Sequence, residues 1–511
     1  MILPSTSEKN KLHEALLTDA DMYQKAIGDY REAVNNQYRY KDDLEDSLGI
    51  RRNTSGIEVM EVFTVRWYIL VLFVLSSVAN GLILLTWSVI ENQACDYFDG
   101  ASEYAIYTLT VIFQICYIPG TYLCFRAFNY CSCNLRLAML IGGAMNTLGC
   151  VIRVLGAIFL HDVNVTASYW LIMLGTMVCS LALPFYLLIP AKLAATWFAI
   201  SERDAVLTIG ILSSPFGNAV GAVLPSFFIK EEDADSELNE GVNKLLSLQC
   251  GVSLIAFIMI YLGFQSQPKA PPSKAAALIR VIESDQAYAY GDYGESEKSL
   301  SSHLTALFGD VNYCILLASF CLCLGHLYSF TTLVEEMPGS YTNEDYGVIC
   351  ILLSLFGLIA AFVGGLILNC TLAYRSFYKS FYILTIGGWM FFFSQCKEGN
   401  STNLFISSAC LGTLLLPTIP AIIINVTEST YPIPEDISLG CLYVSANVCS
   451  IIFVFIGESL LSLDVIDEDA GVFPYSIWVI ISMGAFIPFV LYYKGEYLRS
   501  TQDRNQRMAL D

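Results

Sequence analysis

About twelve stretches of roughly twenty residues are almost purely apolar, and each is bounded by charged, proline-rich or glycine-rich residues. They run over 66–90, 105–125, 136–160, 168–190, 206–229, 247–265, 311–334, 346–368, 379–395, 403–426, 437–462 and 471–493. A helix of about 20 residues crosses the roughly 30 Å hydrocarbon layer of a bilayer. The pattern therefore predicts an all-α polytopic membrane protein with twelve transmembrane helices. Residues 1–65 are polar and acidic and lack the apolar core of a signal peptide, which predicts a cytosolic N-terminal tail. A second polar segment, 266–308, carries Pro, Ser, Ala and charge around the amphipathic patch SKAAALIRVIES. It reads as a cytosolic linker between a six-helix half at 66–265 and another at 309–493, with a cytosolic tail at 494–511.

The two halves echo each other. TWFAISERDA follows the fourth span and TYPIPEDIS the tenth. In both, an aromatic precedes by a few residues an acidic pair at the start of the next helix, where the helix dipole favours negative charge. Both stretches read as hinges on the inner face. Two parallel six-helix repeats are the organisation of the major facilitator superfamily.

Composition supports a membrane class: 55% of the 511 residues are hydrophobic and 14% charged, against roughly 25% charged in soluble domains. Lys and Arg collect in the segments that are cytosolic if the N-terminus is inside, among them Arg126, Arg136, Lys192, Arg203, Arg375 and Lys379, while external loops hold Lys230, Lys244 and Lys397. That bias places both termini in the cytosol. Asn164 and Asn400, each in an N-x-T context, then face outside. The net charge of −20 owes part of its size to two external loops, KEEDADSELNEG and DVIDEDAG. Such loops are either simply solvated or attract cations to the mouth. Most of the seventeen cysteines lie in apolar runs as small hydrophobes. The one-residue spacing of NYCSCN lacks a second ligand pair, so neither a metal nor a cofactor is expected.

Polar and aromatic residues near mid-span are the candidates for a central cavity, because an unpaired polar group facing lipid is costly. They are Asn80, Asn218, His326, Tyr328 and Asn447, and each could instead join helix to helix. Trp87 is a cavity aromatic or an interfacial anchor. Two intramembrane charges, Arg153 and Glu458, sit at similar outer depths in opposite halves and are functional candidates. Glu202 and Glu435, at the starts of the fifth and eleventh spans, are assigned to an inner gate, capping helix amides or pairing with Arg136 or Arg375. No acid lies at mid-depth of the first, fourth, seventh or tenth span, which favours facilitated over proton-coupled transport. His326 is the one histidine at mid-span, open to a structural role or to haem ligation.

Several stretches resemble the feline leukaemia virus subgroup C receptor (FLVCR) family. YIPGTYLCFRAFN is similar to its Y-V-P segment, and NTLGCVIR to N-x-L-G-x-x-I-K. IPAKLAATWFAISERDAV resembles L-P-S-R-I-A-S-x-W-F-x-x-x-E, and GHLYSFTTLVEEM resembles G-A-F-Y-x-x-S-T-L-L-N-Q-M. ESTYPIPEDISLGCLYVSAN resembles E-I-T-Y-P-x-x-E-x-x-S-x-G-L-L-N-x-S-A-Q. All are in order over residues 66–490. The resemblance implies an alternating-access carrier of a small organic solute, of choline or ethanolamine type, with haem transport or a non-transporting receptor on the same fold as alternatives. In the choline-transporting members the cation lies against a Trp of the first span and a Tyr of the seventh, with Gln side chains nearby. The Tyr corresponds to Tyr328 and the eleventh-span Gln to Asn447. The Trp position falls on Leu84, one turn before Trp87, and the N-Q of the fifth span becomes Ser214 and Pro215. The expected partners are the solute and the lipid bilayer, with no nucleic acid, in a monomer at the plasma membrane. The chain has no HExxH, no GxSxG and no phosphate loop, so an enzyme is not expected.

Overall fold

The computed structural model describes residues 63–130, 135–229, 235–269, 303–334, 343–396, 401–430, 433, 435–461, 474–495 and 497. Outside them lie the tail 1–62, the amphipathic patch, the loop 464–471, Cys131, Cys133, Asn400, Pro432, Pro434 and the end of the chain from 498.

The helices of the first half are α1 (Val65–Leu84), α2 (Glu91–Tyr97), α3 (Glu103–Tyr130), α4 (Leu135–Leu155), α5 (Val165–Trp197), α6 (Ile200–Val223) and α7 (Asp235–Gly263). Those of the second are α8 (Val311–Leu333), α9 (Asn343–Thr371), α10 (Tyr374–Gln395), α11 (Ser401–Leu415), α12 (Thr418–Ser429), α13 (Glu435–Leu461), α14 (Pro474–Ala485) and α15 (Ile487–Tyr492). Among the described residues, eleven spans are long and apolar enough to cross a membrane, α11 joined to α12 and α14 to α15 counting as one each. Helix α10, with 22 residues, corresponds to the ninth predicted span and is not among these eleven. Its Arg375, Lys379, serines and tyrosines make it less apolar, yet it lies along α11, with Thr385 Oγ1 3.0 Å from the Leu414 carbonyl.

Three spans differ from the hydropathy pattern for identifiable reasons. The first ends at Leu84 rather than 90, because the Thr86 N–H turns to the Ile83 carbonyl and its hydroxyl takes the Leu82 and Ile83 carbonyls as well. The tenth is broken at 416–417: Pro420 has no N–H for the Leu416 carbonyl, which accepts from Ile419 instead. Pro488 breaks the twelfth in the same way, and Phe489 N–H bonds the Phe486 carbonyl. At both places where hinges were expected, one helix ends and the next begins. Helix α5 ends at Trp197, Phe198 is extended, and α6 starts with Glu202 in its first turn; α12 ends at Ser429 and α13 opens with Glu435 and Asp436.

Small residues let the helices approach. A Cβ on Gly217 of α6 would stand 2.5 Å from the Val78 carbonyl of α1, so the backbones touch there. The halves meet along two seams. Helix α3 faces α13, where a Cβ on Gly440 would run into the Phe125 ring, and α6 faces α9, where a Cβ on Gly365 would lie 2.5 Å from Thr208 Cγ2.

Candidate functional site

Near mid-depth of the α3–α13 seam a neutral aromatic and amide cluster joins the halves. Tyr117 on α3 and Tyr443 on α13 have ring centroids 6.5 Å apart, and Phe320 of α8 stands edge-on to Tyr443 at 5.1 Å. Tyr328, four turns of chain further along the bundle's seventh span than Tyr313, is half-buried against this core and within electrostatic reach of both tyrosines. Local chemistry fixes Tyr117. Two residues later Pro119 lies inside the helix, and the Thr121 hydroxyl returns 3.0 Å to the Tyr117 carbonyl. Its own hydroxyl is buried without a hydrogen-bond partner.

Two amides frame these rings. Ser450 Oγ donates 3.1 Å to Gln114 Oε1 across the seam, and among the described residues the Gln114 amide nitrogen has no partner. Asn447 donates 2.9 Å back to the Tyr443 carbonyl, one turn before it on α13, which leaves its side-chain oxygen unengaged. None of these groups is charged near neutral pH. The cluster can offer π faces, an amide donor, an amide acceptor and hydroxyls, but it cannot exchange a proton near neutral pH.

The other predicted residues are placed as follows. Asn80 is fully buried inside the first half. Its amide donates 2.8 Å to Asn146 Oδ1 and 3.1 Å to the Cys179 carbonyl, and Asn146 passes a bond to Ser253 Oγ at 2.9 Å, so it joins α1, α4, α5 and α7. Asn218 is half-exposed on α6 beside Gly81 of α1. Trp87 is buried just beyond the end of α1, 5.5 Å from the Phe98 ring and 6.3 Å from Tyr97. His326 is sandwiched in the second half between Phe453 at 4.6 Å and Trp478 at 4.7 Å, with Nε2 2.8 Å from Ser482 Oγ.

Arg153 and Glu458 do not meet. Arg153 is 1% exposed and its Nη1 donates 3.1 Å to Gln249 Oε1. Gln249 in turn donates to the Leu82 carbonyl at 3.0 Å and Thr86 Oγ1 at 2.9 Å. Glu458 is half-buried on α13. A buried cation with one neutral partner depends on that partner. Gln249→Leu is expected to destabilise the protein by about 3 kcal/mol, and Arg153→Met by less, because it removes the charge and leaves Gln249 its other two bonds. Melting of the detergent-solubilised variants measures the difference, and equal melting temperatures would contradict it.

The end of the bundle where α1 begins holds the expected gate residues. Glu202 accepts 3.0 Å from Arg66 of α1, not from Arg136, and the Arg66 guanidinium lies over Trp67 and Phe198 at 5.5 and 5.8 Å. Arg136 donates 3.0 Å to the Tyr261 carbonyl. Arg375 covers the C-terminal end of α15, bonding the Lys494 and Gly495 carbonyls, a place where unpaired carbonyls favour a cation. Glu435 is half-buried in the first turn of α13. The bridge between halves at this end is made by residues the sequence did not single out together. Tyr374 of α10 donates 2.6 Å to Asp204 Oδ2 of α6. Lys192 of α5, 4.9 Å from the Phe128 ring, attracts Asp436 of α13.

No family model matches the chain. Solved transporters share its architecture. The xylose:proton symporter XylE superposes with a TM-score of 0.61 at 14% identity, over 85% of this chain and 98% of that one. The fucose transporter FucP in its outward conformation gives 0.58 at 13% identity, over 85% and 99%. This is the major facilitator superfamily fold. Several of the sequence relatives carry FLVCR names. The choline/ethanolamine transporter FLVCR2 of Homo sapiens is 27% identical over 408 residues, 78% of this chain and 73% of that one. The choline/ethanolamine transporter flvcr2a of Danio rerio is 26% identical over 412 residues, 79% and 82%. An uncharacterized transporter of the superfamily from Caenorhabditis elegans, C09D4.1, is 27% identical over 401 residues, 76% and 64%. The FLVCR resemblance carried by the motifs thus extends through most of the chain.

Proposed function

We propose that this chain is a facilitative alternating-access carrier of a small organic ammonium solute, of choline or ethanolamine type, and that the solute sits between Tyr117, Tyr328 and Tyr443 with Gln114 and Asn447 at its polar end. The observation that carries the reading is the neutral tyrosine cluster at the α3–α13 seam. Aromatic faces attract ammonium groups without a counter-ion, and a site with no titrating group fits movement down a gradient. The wall that the family builds from a first-span Trp falls here on Leu84, which is half-buried against the apolar cluster that includes Ile83 and Phe113. Tyr117 supplies an aromatic from the same half. His326, held by Ser482 and two aromatic rings in the second half, gives no support to haem as the cargo.

The same reading places both termini and the 266–308 linker in the cytosol, with the Asp204–Tyr374 end of the bundle facing it, in a monomer at the plasma membrane with no catalytic activity and no nucleic-acid partner. Uptake of labelled choline, ethanolamine and haem into vesicles holding the purified protein tests it. Saturable amine uptake that ignores an imposed pH gradient is expected, and Leu84→Trp is expected to tighten choline by adding a π face. Haem uptake without amine uptake would replace the reading, as would no choline binding in either protein.

A further inference from the structure

Tyr374 reaches from the second half to Asp204 of the first, and three contacts fix its position. The Asn425 amide of α12 donates 3.1 Å to its backbone carbonyl. Its hydroxyl is committed to Asp204. The ring meets Tyr497 edge-on at 5.3 Å, and Tyr497 lies beyond the end of the last span. Tyr497 is itself held: the Arg375 N–H donates 3.0 Å to its hydroxyl and the Arg375 guanidinium lies 5.6 Å from its ring. The end of α15 and the two residues after it are tied to the second half. Lys379 bonds the Leu491 carbonyl at 2.8 Å, the Tyr493 hydroxyl donates 3.2 Å to Asn425 Oδ1, and the Lys494 N–H donates 3.0 Å to Asn312.

We infer that Tyr497, beyond the end of the last span, is a strut for the gate, a positioning residue that holds Tyr374 where its hydroxyl meets Asp204. The inference rests on the carrier reading, because it assumes that the seam at this end opens and closes. A tyrosine already fixed in place loses less freedom when it bonds its partner, so the strut favours the closed seam without itself crossing it. All of its contacts lie within the second half and travel with that half when the seam opens. Of the contacts that fix Tyr374, the bond to Asp204 is the one that is made and broken.

The test uses the full chain in vesicles with Thr208→Cys as reporter, since Thr208 is 1% exposed at the α6–α9 seam. Its alkylation is followed by peptide mass spectrometry, because the chain has other thiols. Tyr497→Ala is expected to raise the labelling rate about two- to tenfold, the scale of one aromatic pair. Tyr497→Phe, which keeps the ring, is expected to restore the slow rate, which a general loosening of the fold would not do. Tyr374→Phe removes the bridging hydroxyl directly. If Tyr374→Phe speeds labelling and Tyr497→Ala does not, the strut is overturned and the gate stands. If neither does, the gate reading itself fails. Equal speeding by Tyr497→Phe and Tyr497→Ala would also overturn the strut.

Discussion

Tyr328→Ala and Tyr443→Ala are each expected to weaken binding of an ammonium solute by about twofold to thirtyfold, the range given by about 0.5–2 kcal/mol of cation–π attraction at about 1.4 kcal/mol per factor of ten. Phenylalanine at either position keeps the ring and is expected to lose far less. Tyr443 also packs edge-on against Phe320, so its alanine variant is compared with a thermal melt to separate lost packing from lost binding. The amides divide the two amines. A quaternary ammonium presents only methyl groups to the site and relies on the π faces, whereas a primary ammonium donates hydrogen bonds and gains from the unengaged Asn447 oxygen. Asn447→Ala is therefore expected to cost ethanolamine more than choline, and the two tyrosine variants to cost choline more. Binding of choline and ethanolamine by isothermal titration measures both ratios. Tyrosine variants that bind choline as tightly as the wild type would remove the aromatic site from the proposal.

The spans, the division into halves and the helix breaks before Glu202 and Glu435 were legible in the sequence because they depend on run length and on local capping chemistry. Glu202 and Glu435 fall in first helical turns as expected, since that preference is decided within one turn of chain. Partner choice was not legible, because it depends on which face each helix turns to its neighbours. Glu202 pairs with Arg66 instead of Arg136 for that reason, and Arg153 with Gln249, an uncharged residue on α7 that carried no signal beside a search for opposite charges. Asn80 reads the same from sequence whether it faces a cavity or a helix; its two donor bonds within the first half set it among the helix joints. The aromatic cluster did leave a trace. Gln114, Tyr117 and Thr121 recur at steps of three and four on α3, and Tyr443, Asn447 and Ser450 at steps of four and three on α13. Each set is a polar stripe along one face of an otherwise apolar helix. That spacing marks two faces, but only the folded bundle brings them together across the seam.

Asp204→Ala is expected to have the largest effect on the conformational balance. The bond from the Tyr374 hydroxyl to the Asp204 carboxylate is short, at 2.6 Å, and a hydrogen bond to a charged group contributes about 1.5–3 kcal/mol. Made only while this end of the seam is closed, it biases the closed state by that amount, so its loss shifts the ratio of closed to open forms by about tenfold to a hundredfold. Tyr374 is 2% exposed and would then carry a buried hydroxyl without its acceptor, which adds to the cost of closure. Asp204→Asn keeps an oxygen acceptor without the charge and is expected to fall between the two. The contacts at the other contributors to this end, Lys192 with Asp436 and Phe125 against Gly440, remain in every variant, so the seam is weakened and not abolished. Labelling of Thr208→Cys reads the shift, and the melting temperature should change little, because the bond is one contact beside an apolar core that runs through both halves and is left intact. A large loss of melting temperature with unchanged labelling would make Asp204 a stabilising residue of the fold and not part of a gate.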